Sequence, residues 1–317
     1  MAKHTGTLPH NPLIPSPLFP LLLFFFLTGC QQDAPLNNNI PQEPYYTNTQ
    51  DFFNQNYVED QSFTLTAETG GTITGKKGTK INFPANAFQD YLGNQTSGQI
   101  NITIKEIFKK NDMILSNKPS MSDGQPIITA GEIYVKVVAG DVELRLAPAT
   151  YFYMILPADS LVTTMKVFYG SGDSLNNINW HTDTLLHTGT VSVKNLPYPS
   201  YELTSFNLSW ISCARYYVQP QTADVSITLA NDTTFTGAQV YLVLKDNSVM
   251  QLKTVSGFSF SATGVPVGPL NLVGLTIHNH LLYFAASHFT LQTGYTGSIT
   301  LTPTTTVAFK SYLYQVN

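Results

Sequence analysis

Gly98-Gln99-Ile100-Asn101-Ile102-Thr103-Ile104-Lys105 alternates polar and apolar side chains without interruption. Side chains two residues apart share one face of a strand, so the three isoleucines enter a core while Asn101, Thr103 and Lys105 face the other way. The same period recurs on both sides. Phe63-Thr64-Leu65-Thr66-Ala67 alternates until Gly70-Gly71 breaks it, and Ile81-Asn82-Phe83 resumes it ahead of Pro84. Ile133 to Val138, Val142 to Leu146 and Tyr151 to Leu156 behave likewise. No long run places apolar residues at helical spacing, and Asn86 to Leu92 and Lys109 to Leu115 read as single turns at most. The class is therefore all-β, with antiparallel sandwiches as the expected architecture.

A second series of strands starts at Ala223. It runs through Val225-Ser226-Ile227-Thr228-Leu229, Val240 to Leu244, Phe258-Ser259-Phe260, Leu270 to His278, Leu281 to Ala285 and Ser298 to Leu301. Turns such as Lys245-Asp246-Asn247 and Val265-Pro266-Val267-Gly268 punctuate it at the spacing of a small Greek-key sandwich. Between the two series, Met165 to Tyr169 and Val191 to Val193 read as strands around a turn at Gly170-Ser171-Gly172-Asp173. The expected layout is a first β domain over 62–158, a connecting β region over 159–217 and a C-terminal β-sandwich over 218–317.

Composition narrows the function classes. Of the 317 residues 11% are charged, 43% hydrophobic and 12% aromatic, which excludes a disordered chain. The 16 Lys and Arg are outnumbered by 20 Asp and Glu and are scattered along the sequence, so no nucleic-acid partner is expected. Thr, Ser, Asn and Gln supply the polarity instead, a pattern common in exported β-rich proteins. Few ionisable groups remain for acid–base catalysis.

The first thirty residues carry the clearest targeting feature. Lys3 precedes a segment that becomes continuously apolar from Leu21 to Leu27, too short to span a bilayer and of the length of a signal-peptide core. It ends in Leu27-Thr28-Gly29-Cys30, which resembles the lipobox of bacterial lipoproteins. That resemblance implies a signal peptide over 1–29, lipid on the thiol of Cys30, and anchoring in the outer membrane. The Asn-, Gln- and Pro-rich stretch 30–61 reads as a tether, with Tyr45, Tyr46, Phe52 and Phe53 expected to dock part of it on the first domain. A lipidated Cys30 leaves Cys213 without an intramolecular partner, and a buried inert thiol is expected there.

Two further resemblances concern the body of the chain. Gly70-Gly71-Thr72-Ile73, Gly78 to Phe88 with its Pro84-Ala85-Asn86-Ala87, and Gly98 to Ile104 resemble the opening of ZU5 domains, the β-sandwich modules of ankyrins and netrin receptors. Leu144 to Pro148 with Ile155-Leu156-Pro157 is similar to the end of the same domain. Asp112 to Pro119, Ser122-Asp123-Gly124, Gly131-Glu132-Ile133-Tyr134-Val135 and Leu208 to Tyr216 resemble segments of uncharacterised lipoproteins of the Bacteroidota. Those tend to have Gly-Trp-Ile-Asn-Cys-Asp-Arg-Phe in the last segment, and this chain departs at Ser209, Ser212, Ala214 and Tyr216. The resemblance implies architecture and habitat, not an activity. By strand order alone, the C-terminal series resembles transthyretin-like or immunoglobulin-like modules.

Candidate chemistry is sparse. His278 and His280, with His288 nearby, include the residue types of a zinc site but lack evident further ligands, and His181, Asp183 and His187 form a weaker set. Glu106, Asp112, Asp123 and Glu132 lack the spacing of a calcium loop. Gly170 to Ser174 superficially resembles a serine-nucleophile turn but has no helix after it. Asp159-Ser160-Leu161, Asp173-Ser174-Leu175, Asp183-Thr184-Leu185 and Asp232-Thr233-Thr234 resemble O-glycosylation triplets of exported Bacteroidota proteins. The expectation is therefore no catalytic residue, no metal, no cofactor, and lipid on Cys30. The function expected is a non-enzymatic protein-binding or structural role at the cell envelope, contacting another envelope protein through exposed aromatics among Tyr151, Tyr153, Tyr216 and Tyr217. A glycan-binding surface lipoprotein is the alternative, and a metal-dependent hydrolase a more distant one.

Overall fold

In the computed structural model, the strand Gln99–Ile107 has the alternation its sequence dictates, with Ile100, Ile102 and Ile104 fully buried and Asn101 exposed. The structure describes residues 43–172, 178–182, 189–195, 197–231 and 235–316. The signal-peptide segment with Cys30, the residues Asp173, Ser174, Asp183 and His187, and the triplet at Asp232 lie outside the described residues.

The chain is all-β, with its strands arranged as antiparallel sheets. A front sheet orders Gln61–Thr66, Gln99–Ile107, Gln125–Ala139, Ser209–Tyr216, Lys166–Ser171 and Asn179–His181. A back sheet orders Val191–Lys194, Ser200–Ser205, Phe152–Pro157, Lys80–Phe83 and Gly71–Thr74. Ile102, Val135 and Ile211 of the front sheet meet Ile81, Met154 and Leu203 of the back sheet in one core. The strands of 159–217 thus complete the first sandwich, three of them in its front sheet and two in its back sheet, where the sequence reading had a separate connecting region. Pairing with Gln125–Ala139 and Phe152–Pro157 places their apolar positions in the cores those strands already form.

The C-terminal strands form a second pair of sheets around another core that includes Ile227, Leu242, Phe260 and Leu272. Among the described residues one pairing is parallel, Thr222–Leu229 beside Tyr295–Ile299. The chain reaches that edge from the opposite sheet, so no hairpin dictates its direction.

Glycine is required where the first sandwich turns most tightly. Gly70 has φ +62° and a Cβ there would lie 2.3 Å from the carbonyl oxygen of Phe83. Ser209, by contrast, occupies the left-handed region at φ 75° with a side chain.

A third core joins the two sandwiches. Phe168, Trp180, Trp210 and Ala214 on the outer face of the front sheet pack toward Tyr241, Val243, Val273 and Leu275 of the C-terminal sandwich. Three helices close it: α1 (Thr49–Asn56), α2 (Lys110–Leu115) and α3 (Thr306–Gln315). Asn48 caps α1 by accepting from the backbone N–H of Asp51 at 2.9 Å, and Thr305 caps α3 by accepting from that of Ala308 at 3.1 Å. Phe52 and Phe53 insert from α1, Phe309 and Leu313 from α3, and the Phe52 and Phe309 rings meet edge-on at 5.8 Å. The Thr49 hydroxyl accepts from the backbone N–H of Ile277 at 3.2 Å. The stretch expected to end a tether is, from Glu43 on, part of the body, and it docks on the C-terminal sandwich as well as the first. From Glu43 onward the chain is one compact unit.

Two stability outcomes follow from this packing. Phe52→Ala removes a fully buried ring at the junction and is expected to cost about 3–5 kcal/mol, with both sandwiches unfolding in one shifted urea transition rather than two. Ser209→Gly relieves the left-handed strain and is expected to raise stability by up to about 1 kcal/mol, measured in the same denaturation assay.

Candidate functional site

The junction does not close along its whole length. At one end a cleft of about 840 Å³ opens between the sandwiches, within the range of small-molecule sites. Its walls are three rigid pieces. The turn Lys245-Asp246-Asn247 crosses from the C-terminal sandwich, where the Asn247 amide donates to the carbonyls of Phe108 at 2.9 Å and Thr129 at 2.8 Å. The Thr129 N–H returns a bond to the Asn247 carbonyl at 3.1 Å. The segment 157–162 is pinned on the opposite side, because the Tyr201 hydroxyl accepts from the Val162 N–H at 2.7 Å and donates to the Ser160 carbonyl at 3.3 Å. Between them, Lys109 and Lys110 enter from the start of α2 and Arg215 from the front sheet.

Lys77, Lys109, Lys110, Arg215 and Lys245 all line this cleft, five of the sixteen basic residues of the chain. The carboxylates in the lining are Asp159 and Asp246. Lys109 pairs with Asp159 at 3.3 Å, and Lys77 turns to Asp112. Lys110 donates to the carbonyl of Leu244 at 3.2 Å, and burial lowers its pKa against the opposing pull of Asp246. Among the described residues Arg215 and Lys245 make no ion pair, and the Arg215 Nε is buried without an acceptor. Phe108, Met165, Pro157 and Tyr198 add an apolar side. Basic residues dispersed over 169 positions of sequence are therefore gathered in space, which the reading of scattered charge did not anticipate. The one local hint was Lys109-Lys110 beside a helix start.

Three segments, 112–119, 131–135 and 208–216, meet beside the junction core. Lys118, Glu132 and Trp210 come one from each, and all are almost or fully buried. The Lys118 ammonium lies 5.8 Å from the ring centroids of both Tyr57 and Trp210, within cation–π reach. Among the described residues neither carboxyl oxygen of Glu132 has a hydrogen-bond partner. Burial pushes that carboxyl well above the usual range, with Lys118 drawing it back, and Tyr57 is raised by its own burial and by Glu132. Glu106, one residue before the Ile107 that pairs with Glu132, has the opposite surroundings. Its carboxylate accepts from the N–H groups of Lys77 at 2.9 Å and Thr79 at 3.1 Å and from the Gln61 amide at 2.8 Å, holding the turn 75–79 to the front sheet. A Cβ on Gly75 would sit 2.5 Å from it.

The other candidates separate in space. Asn279 and His280 have φ of 48° and 65° and form the corner of a two-residue hairpin, so His280 does not share a strand face with His278. His280 stacks on Tyr45 at 4.1 Å and its Nδ1 meets the Tyr46 carbonyl at 3.0 Å. His278 packs edge-on against Phe235, and His288 meets the Asn271 side chain at 3.0 Å. Asp112 pairs with Lys77, and Asp123 accepts from the Asn179 amide at 2.9 Å. Among the described residues no three metal-ligating side chains converge. Cys213 is buried in the first sandwich, where desolvation pushes its thiol far up. Gly170 and Ser171 end a strand, with Gly170 pressed against Ile178 and Trp210.

Of the four tyrosines expected at a contact surface, two come together. Tyr151 and Tyr153 point outward from the back sheet with rings 5.3 Å apart, and Phe206 lies 5.4 Å from Tyr151. Ile155 extends the row. The rim carries Lys80 and the Lys194–Glu202 pair, joined at 3.2 Å. Tyr216 lies on the front sheet against Phe168, and Tyr217 packs on the C-terminal core.

Glu132 gives this region a testable pH dependence. Its folded pKa lies above the unfolded value near 4.5, so the native state holds the proton more firmly and stability is lost as pH rises through the folded pKa. Glu132→Gln is neutral at every pH. Its Tm relative to the natural chain is expected to rise from pH 5 to pH 8, measured by calorimetry; a constant difference would contradict a buried acid with a raised pKa.

The chain matches no protein-family model, and comparison with curated proteins finds no match either.

Proposed function

We propose that this chain is a lipid-anchored protein of the bacterial outer membrane with a non-enzymatic role, built on a ZU5-like sandwich followed by a transthyretin- or immunoglobulin-like one, and that it contacts another envelope protein. The anchor rests on Leu27 to Cys30. Residues 31–42 separate Cys30 from the body, and twelve residues reach at most roughly 40 Å, so a lipidated Cys30 keeps the body close to the membrane.

The observation that carries a protein partner is the outward face of the back sheet. Tyr151, Tyr153, Ile155 and Phe206 make an aromatic and apolar centre, with Lys80, Lys194 and Glu202 around it. That is the anatomy of a protein interface, an aromatic centre inside a polar rim. Ring geometry favours this over the glycan alternative. Tyr151 and Tyr153 stand at 84° and Tyr151 and Phe206 at 56°, so they do not form the flat platform on which sugar rings stack.

A photo-crosslinking residue in place of Tyr153, in cells carrying the full chain, is expected to give a discrete adduct that Tyr151→Ala weakens. The same residue in place of exposed Val255, on the C-terminal sandwich, is the comparison, and equal adducts from both positions would sink the proposal. Binding to immobilised glycans that is lost in Tyr151→Ala would transfer the face to the alternative. Acyl labelling is expected to disappear in Cys30→Ala.

A further inference from the structure

We propose that the cleft between the sandwiches is a binding site for a small organic oxyanion, a phosphate or carboxylate group carried on an apolar or aromatic ring. The inference is independent of the aromatic face on the back sheet: Tyr151, Tyr153, Ile155 and Phe206 are not in the cleft's lining, although Pro157 at the end of the same strand is.

Charge is the first support. In a chain with more acids than bases, five cations and two carboxylates line one cleft. Once Lys109 is paired with Asp159 and Lys77 with Asp112, Lys110, Arg215 and Lys245 face the single carboxylate Asp246. Low-dielectric walls focus such a surplus on the space between them. Like charges held together repel, and an anion in the cleft removes that repulsion.

The donors also match the ligand. A guanidinium presents a planar fork that suits the two oxygens of a carboxylate or phosphate, while lysine ammonium groups act as mobile point charges around it. Arg215 and Tyr201 both line the cleft, and among the described residues the Arg215 Nε is buried without an acceptor. Phe108, Met165, Pro157, Pro199 and the exposed ring of Tyr198 supply the surface for the body of the ligand. The walls are already clamped by Asn247 on one side and Tyr201 on the other, so binding requires little ordering.

The test uses the full chain and three probes, phenyl phosphate, benzoate and benzyl alcohol, with binding followed by titration calorimetry and by chemical shifts of the Asn247 and Thr129 amides. At least one anionic probe is expected to bind about tenfold or more tightly than benzyl alcohol, and to weaken as salt rises from about 0.05 M to about 0.5 M. Whichever anion binds better identifies the oxyanion. Lys245→Gln, at an exposed position, and Arg215→Gln are each expected to lower that affinity about tenfold, while Lys194→Gln and the Tyr151→Ala/Tyr153→Ala pair leave it unchanged. If Arg215→Gln fails to fold, Lys245→Gln decides. Equal binding of the neutral probe, no binding of either anion, or full affinity in Lys245→Gln would overturn the proposal.

Discussion

Burial of two sheets on both of their faces is the constraint on which the rest of the molecule depends. In the strand Gln239–Val243, Val240 and Leu242 serve the C-terminal core while Tyr241 and Val243 serve the junction. In Ser209–Tyr216, Ile211 and Cys213 belong to the first sandwich while Trp210 and Ala214 belong to the junction. Neither sheet can expose its outer face cheaply. A large apolar side chain contributes about 1.5–3 kcal/mol on full burial, and the junction holds Trp180, Trp210, Tyr241, Phe52, Phe53 and Phe309 at 2% exposure or less. Separating the sandwiches would forfeit a share of that comparable to the whole net stability of a domain. The helices at the two ends of the described chain make the junction a closed core rather than a contact between neighbours.

The cleft is a consequence of that joining. The cleft opens beside the junction core, and the turn Lys245-Asp246-Asn247 bridges it to the first sandwich through two side-chain bonds. Lysines from α2 and an arginine from the front sheet reach into it because the same elements flank the junction. Site and weld are therefore one piece of geometry, and a change that loosens the junction also moves the charges in the cleft.

How much of this was legible in the sequence depends on the reach of each signal. Ile100, Ile102 and Ile104 could be read as a strand because period two is local, and the fold class followed from many such runs. Whether the strands after 158 formed a third region or completed the first sandwich depends on pairings such as Ile211 with Ile133, 78 positions apart. No local pattern contains that. Val240-Tyr241-Leu242-Val243-Leu244, apolar at every position, did carry a message beyond its strand, since a continuous apolar run marks a sheet covered on both sides. The helix α1 hid within an Asn- and Gln-rich stretch of weak helix propensity; its signals were Asn48 three residues ahead of Asp51 and the adjacent pair Phe52-Phe53. Of the cleft only the Lys109-Lys110 pair was visible locally, because Lys77, Arg215 and Lys245 have no spacing in common.

Scarcity of charge sharpens the meaning of where charges do occur. Thr, Asn and Gln solvate most of this surface, so a carboxylate or ammonium is not needed merely to keep the chain in water. Glu106 ties a turn to the front sheet, and Glu132 and Lys118 sit where an apolar pair of similar volume would avoid the cost of desolvation. The three segments that bring Lys118, Glu132 and Trp210 together are separated in sequence, and a buried polar cluster specifies one register among them where methyl groups would accept several. Trp210 and Glu132 lie on adjacent strands of the front sheet, and Lys118 comes from the loop after α2, between that sheet and the C-terminal sandwich. A slip of either strand by one residue would turn Glu132 or Trp210 into the other core, so the cluster locks the register on which both the junction and the cleft rely.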